Sequence, residues 1–108
     1  MAISFDEFKK LEIATAKVLE AEEHPNADKL YVLKIEFGGG ETRQIVAGIR
    51  EHYKKEDLIG KQIVVIKNIE PAKIRGVESN GMLLVAKDDK TLAILVPEKE
   101  VAVGSPVS

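Results

Sequence analysis

Between Tyr31 and Phe37 the chain alternates strictly: Tyr31, Leu33, Ile35 and Phe37 share one parity, and Val32, Lys34 and Glu36 the other. Successive side chains of an extended strand point to opposite faces, so this run is a half-buried strand. Gly38-Gly39-Gly40 interrupts it, and residues 43–47 return with Ile45 and Ala47 on one parity. Two alternating runs around a glycine tract read as a β-hairpin, here with a mobile tip. The tract is not a phosphate loop, because it lacks both the GxGxxG spacing and a following helix. The hairpin's apolar face demands cover from elsewhere in the chain.

Other segments supply it. Residues 13–23 form a long extended stretch carrying Ala14, Ala16, Val18 and Ala21, small side chains suited to a strand that curls sharply or is crossed closely. Ile63-Val64-Val65-Ile66 is a continuous apolar run, expected of a strand covered on both faces. Further strands are expected over residues 82–86 and 92–96, and Val101-Ala102-Val103 precedes a Gly-Ser-Pro ending. Ser4 followed by Glu7 is a capping box that starts a short helix, with Phe5, Phe8 and Leu11 assigned to packing. Residues 51–59 form a second short helix or helical turn, stopped by Gly60. Three strands, a helical segment and then further strands is the order of the OB-fold. The expected class is therefore all-β: a five-stranded OB-fold barrel with short helices and a C-terminal β extension. With 108 residues the chain holds one core rather than two, a single domain over residues 1–108.

Composition then narrows the chemistry. Sixteen basic residues face eighteen acidic ones, a formal charge of -2, so any anion site is a local patch rather than a global positive field. The absence of cysteine excludes a disulfide scaffold, a thiolate nucleophile and the common structural zinc sites. The first residues lack the grammar of a signal peptide, and no apolar run approaches the roughly 20 residues that span a bilayer. A cytoplasmic protein without a membrane partner is expected. His24 precedes a proline in a turn and His52 lies beside Lys54 and Lys55. Neither has a second histidine at metal-ligand spacing, so both read as solvated or structural. Residues 76–81 have GxxSxG spacing rather than the GxSxG of a nucleophile elbow, and no base partner is evident. No paired-carboxylate constellation stands out. Neither enzyme activity, nor a cofactor, nor a metal is expected.

Charge is unevenly spread. Up to Glu23 three lysines face six acids, whereas residues 61–76 carry Lys61, Lys67, Lys73 and Arg75 against Glu70 alone. A basic loop is by itself most often a solvated surface. Here Asn68, Ser79 and Asn80 add neutral donors and acceptors, and Pro71, Gly76 and Gly81 shape the backbone so that such groups can converge on phosphates and 2′-hydroxyls. The chain has three Phe, two Tyr and no Trp. Phe5, Phe8 and Phe37 have core-like positions and Tyr31 shares the apolar parity, so few rings remain to stack bases. Such a binder recognises the backbone shape of a folded RNA rather than threading a single strand.

Residues 24–30, His-Pro-Asn-Ala-Asp-Lys-Leu, resemble the HPxADKL signature of the tRNA-binding domain family. Residues 43–49 and, above all, 68–82 resemble that family's other motifs, and the likeness runs from about Phe8 to the C-terminus. The family includes the C-terminal domain or separate beta subunit of methionyl-tRNA synthetases, free-standing dimeric tRNA-binding proteins, and a bacterial secretion-related chaperone. The resemblance implies an OB-fold dimer that binds tRNA by its outline with little regard for sequence. Carried over by position, the RNA-binding residues are Asn26, Lys29, Arg43, Gln44, Asn68, Lys73, Arg75, Ser79 and Met82. Lys73 and Arg75 would meet phosphates; Asn26, Asn68 and Ser79 would bond to backbone or 2′-hydroxyl groups. Met82 is either a wall of the site or plain core, with core the favoured reading. Asp28 fixes its loop through backbone amides.

The family's dimers pair near the C-terminus, where this chain offers Leu92, Ile94, Val96, Val101 and Val103. Dimerisation is the favoured reading; the alternative is a tail that closes its own barrel. The partners implied are tRNA, a second copy and the catalytic chain of methionyl-tRNA synthetase. The competing function is a peptide-binding, export-type chaperone on the same scaffold, which would show an exposed apolar groove.

Overall fold

The computed structural model describes Met1–Ser108. Its strands are β1 (Ile13–Glu23), β2 (Tyr31–Glu36), β3 (Thr42–Ala47), β4 (Gln62–Ile66), β5 (Ala72–Ile74), β6 (Val77–Ser79), β7 (Met82–Leu83), β8 (Val85–Lys87), β9 (Leu92–Ile94) and β10 (Pro106–Val107). Two one-turn helices, α1 (Phe5–Phe8) and α2 (Lys55–Leu58), precede β1 and β4. The main sheet runs β3-β2-β1-β4-β7. Its two ends then meet: the Asn80 amide donates to the Gln44 carbonyl at 2.8 Å, and the Val46 amide to the Ser79 hydroxyl oxygen at 2.9 Å. The result is a nearly closed, five-stranded antiparallel barrel of OB type, with its helical turn between the third and fourth strands as the element order predicts.

β1 makes this closure possible. It pairs with β4 along residues 13–17 and with β2 along residues 17–23, and its pairing with β2 shifts register between Val18 and Glu20. A strand shared this way must bend, and the bulge supplies the bend. Its small inward residues permit the crossing: Ala14, Ala16, Val18 and Ala21 are all buried. The alternation read in β2 also holds, with Tyr31, Leu33, Ile35 and Phe37 buried. Ile63, Val64 and Val65 are buried as a doubly covered strand requires, and Leu58 of α2 is fully buried among them. Gly81 sits where the sheet ends meet, at φ 134°. A Cβ there would stand 3.2 Å from Ile45 Cγ2 and 3.3 Å from Val65 Cγ1.

Several expectations need correction. The capping box at Ser4 and Glu7 forms, but α1 spans one turn. Such a helix cannot present an apolar face, and Phe5 (71% exposed) and Leu11 (43%) stand in solvent while Phe8 is half-buried. The strand expected over residues 82–86 breaks at Leu84, and the one over 92–96 ends at Ile94. Residues 101–103 form no strand. The pairing segment is instead Pro106–Val107, which joins Ile13 and Ala14 of β1. Gly104 and Ser105 bond to Thr15 on the way, through Gly104 N–H to the Thr15 carbonyl and Thr15 N–H to the Ser105 carbonyl, both 2.9 Å. Within the glycine tract Gly38 is crowded, since a Cβ there would lie 2.7 Å from the Val103 carbonyl oxygen, whereas Gly39 and Gly40 stand in open space at the hairpin tip.

Candidate nucleic-acid interface

The residues singled out in the sequence fall into two groups. The first forms where the 24–30 loop, which joins β1 to β2, meets the β5–β6 hairpin, which lies between β4 and β7. The hairpin turns at Arg75-Gly76, with Ile74 opposite Val77. Both turn residues adopt positive φ, 53° for Arg75 and 88° for Gly76, the pattern of a two-residue turn matched to strand twist. Glycine does this freely; arginine pays about 1–2 kcal/mol of steric strain. From that position the Arg75 guanidinium donates to the Asn26 carbonyl at 3.1 Å. Asn26, Lys29 and Arg75 line a cleft of about 430 Å³ together with Ala27, Asp28 and Leu30. Lys73 lies one residue along β5 from Ile74, exposed and paired in register with Glu78. Asn26, Lys29 and Arg75 therefore belong to one exposed surface built from two loops, with Lys73 exposed on the strand that leads into the hairpin turn.

Two residues absent from the expected set hold that surface together. His24 is 3% exposed, and both ring nitrogens are engaged: Nδ1 accepts from the Asn26 amide at 2.9 Å and Nε2 bonds the Ile74 carbonyl at 2.9 Å. Arg50 reaches from beyond β3 to the other side of the loop. It donates through Nη1 to the Ala27 carbonyl (3.1 Å) and through its amide to the Lys29 carbonyl (3.3 Å), and pairs with Glu23 at 3.4 Å. The His-Pro-Asn order hints at the first of these, because a side-chain acceptor two residues before an amide favours a turn. Nothing in the sequence pattern signals the reach of Arg50.

The second group is committed elsewhere. Asn68 Oδ1 accepts from the Glu12 amide at 2.8 Å and Nδ2 donates to the Lys10 carbonyl at 2.6 Å, so this amide ties the N-terminal segment to the end of β4. Ser79 is buried, accepting from Val46 and donating to the Gly81 carbonyl at 3.3 Å; its hydroxyl closes the barrel. Gln44 Nε2 donates to the Glu78 carbonyl at 2.9 Å beside the same seam. Arg43 pairs with Glu41 at 3.0 Å, and Lys67 with the same carboxylate at 3.4 Å. Both cations lie over the Phe37 ring, at 5.3 and 4.7 Å from its centroid. Desolvation pushes the Glu41 carboxyl up, but the Lys67 ammonium and the Arg43 guanidinium outweigh it and hold the group below its ordinary value. Met82 is 45% exposed, which corrects the expectation of a core methionine.

Exposed Met82 lies on an apolar groove of about 280 Å³ with Val46, Ile69, Ile74, Val85 and Leu92; Glu70 is its one charged lining residue. Neither this groove nor the loop cleft contains an aromatic side chain. The Tyr31 hydroxyl donates to the Tyr53 carbonyl at 2.6 Å, and the Tyr53 hydroxyl accepts from the Ile94 amide at 3.1 Å. Phe5 corrects the expectation that every phenylalanine is core, but its ring lies on α1 under the Lys9 ammonium. Among the residues expected to pair two copies, Ile94 is buried in the protomer's own core and Leu92 packs against it. Val103 is half-buried beside Gly38, and Val96 and Val101 are exposed.

A family model described as "Putative tRNA binding domain" matches residues 13–106. The methionine–tRNA ligase of Thermococcus kodakarensis is 51% identical over 105 residues, covering 97% of this chain and 14% of that protein. That of Thermotoga maritima is 53% identical over 107 residues, covering 99% of the chain and 17% of the ligase. The chain thus spans a small part of the curated relatives it matches. Among solved structures, a MetRS related protein from Pyrococcus horikoshii superposes with a TM-score of 0.92 at 35% identity, covering 100% of this chain and 99% of that one. Chaperone CsaA from Bacillus anthracis superposes at 0.89 with 31% identity, covering 100% of both chains.

Proposed function

Since the chain belongs to the tRNA-binding domain family, we propose that it is a non-catalytic module that binds folded tRNA by backbone and outline, serving methionyl-tRNA synthetase as an appended domain or separate subunit. The observation that carries this reading is the meeting of the 24–30 loop with the β5–β6 hairpin. There Lys29 and Arg75 are exposed beside Asn26, Lys73 is exposed on the adjoining β5, and the cleft holds no aromatic platform. Cations and amide groups without rings suit phosphates and 2′-hydroxyls, not stacked single-stranded bases. Gln44, Asn68 and Ser79 contribute by shaping the surface, since their polar atoms already bond within the protein. Exposed Val96 and Val101, with Leu95 beside them, are the surface through which two copies pair. A homodimer would offer one tRNA two such cradles. The place of work is the cytoplasm, where tRNA is charged.

The test is a titration with unfractionated tRNA beside an unstructured oligonucleotide of equal length across a range of salt. Three phosphate contacts give a slope of log K against log salt of roughly -2 to -3 per cradle. Equal affinity for both RNAs, or affinity indifferent to salt, would overturn the model.

The apolar groove at Met82 supports a second reading, a chaperone that holds extended peptides. An apolar peptide that binds in the micromolar range or better while tRNA does not would establish it. The groove's one acidic and ten apolar lining residues make it a poor phosphate site, so the two ligands would not compete for the same atoms.

A further inference from the structure

His24 is a buried, titratable side chain that the proposed RNA contact does not use. It occupies the junction of the two loops that the contact needs. Its Nδ1 accepts a hydrogen bond from the Asn26 amide, so that nitrogen carries no proton; its Nε2–H is then the donor to the Ile74 carbonyl. Of the two tautomers, the one with the proton on Nε2 fits both bonds. Ile74 immediately precedes Arg75, and Arg75 donates back to the Asn26 carbonyl. Three hydrogen bonds thus close a ring through His24, Asn26 and the Ile74–Arg75 turn. The His24 amide also bonds the Leu30 carbonyl at 3.1 Å, which fixes the mouth of the loop.

We propose that His24 is a positioning residue for RNA binding, its imidazole clamping the 24–30 loop to the β5–β6 hairpin through Nε2–H so that the RNA meets a preformed surface. This rests on the tRNA-binding reading above. Without the clamp the two loops share only the exposed Arg75 bond, and ordering them at the moment of binding would cost affinity. The two nitrogens also have separable jobs. An asparagine here places an acceptor where Nδ1 stands but reaches no further; a glutamine places a donor where Nε2 stands.

Three variants test this: His24→Phe, His24→Asn and His24→Gln. Each is followed by tRNA affinity at fixed salt, by thermal melting, and by hydrogen exchange at Asn26 and along the hairpin. The Phe and Asn variants are expected to bind tRNA roughly tenfold more weakly with faster exchange in the hairpin, while Gln stays within about threefold of the wild type. A general loss of stability would lower all three melting temperatures without restoring binding in the Gln variant, so rescue by Gln is the outcome that marks positioning. Unchanged affinity in all three variants overturns the role. Independently of any variant, nitrogen-15 spectra of the wild-type imidazole must show a protonated Nε2 and a bare Nδ1; the opposite tautomer overturns the clamp. A wild-type protein that does not bind tRNA removes the RNA reading itself, a failure distinct from one confined to the variants.

Discussion

At Arg75 a long, β-unbranched cation occupies a backbone position that glycine or asparagine adopts at far less cost. Strain of this kind persists where the surroundings over-determine it, and here the turn partner Gly76, the Asn26 carbonyl and the neighbouring Ile74 carbonyl do so. Two substitutions separate geometry from contact. Arg75→Asn relieves about 1–2 kcal/mol of strain against about 0.5–1 kcal/mol for the lost exposed hydrogen bond. It should melt at or a few degrees above the wild type, on the order of 4–8 °C per kcal/mol for a domain of this size. Arg75→Ala keeps the strain, loses the bond, and should melt lower. Both should bind all tRNAs more weakly by roughly tenfold, as loss of a phosphate contact requires. Preferential loss of some tRNAs would mean that bases are read. Glu41 gives a second residue-scale prediction. Its carboxyl is held below the ordinary value of 4.5 by Lys67 and Arg43, against a desolvation that acts the other way. A depressed carboxyl stabilises the fold above its unfolded value, and that contribution disappears as pH falls through the folded one. The melting-temperature difference between wild type and Glu41→Gln should therefore be constant near neutral pH, shrink as pH falls below the ordinary carboxyl value of 4.5, and vanish once the folded carboxyl is protonated. A difference that grew on acidification would reverse the assignment.

Among the elements, legibility followed the range of the interactions responsible. β2 and β3 were readable because alternation is local, and β4 because an unbroken apolar run has one good explanation. The barrel order followed from counting elements. The β5–β6 hairpin escaped notice because its turn is Arg75-Gly76, and an arginine at positive φ gives no sequence signal. The C-terminal β extension was expected but could not be placed at residues 106–107, for a different reason. Its pairing depends on Gly104, whose site is created by the distant Phe37–Gly38 backbone. A Cβ at Gly104 would fall 1.7 Å from the Phe37 carbonyl oxygen, inside covalent reach of nothing that can move cheaply. Gly104→Ala should cost about 3 kcal/mol or more and release the tail from β1, seen as lost protection of the Thr15 amide. Gly39→Ala meets open space and should cost only its backbone strain, about 1 kcal/mol. The candidate site residues divided likewise: charge pointed to Lys73 and Arg75 and the family motif to Lys29, whereas the internal duties of Asn68 and Ser79 depend on partners 58 and 33 residues away.

For the molecule as a whole, a net charge of -2 leaves little long-range attraction for RNA, so the proposed binding has to rest on a local cradle, which the proposed pairing of two copies would present twice. A Val96→Asp/Val101→Asp double variant alters two exposed apolar residues outside the cradle. It should sediment as a monomer and lose on the order of tenfold or more in tRNA affinity, with the salt slope roughly halved. A wild-type protein that already sediments as a monomer would remove the pairing surface. The bonded ring of His24, Asn26 and Arg75 carries a last consequence, in time rather than in energy. A surface that needs no ordering step captures its ligand on first contact. Observed association rates should then rise linearly with tRNA concentration without a plateau, and variants of the cradle should differ mainly in how long the complex lives.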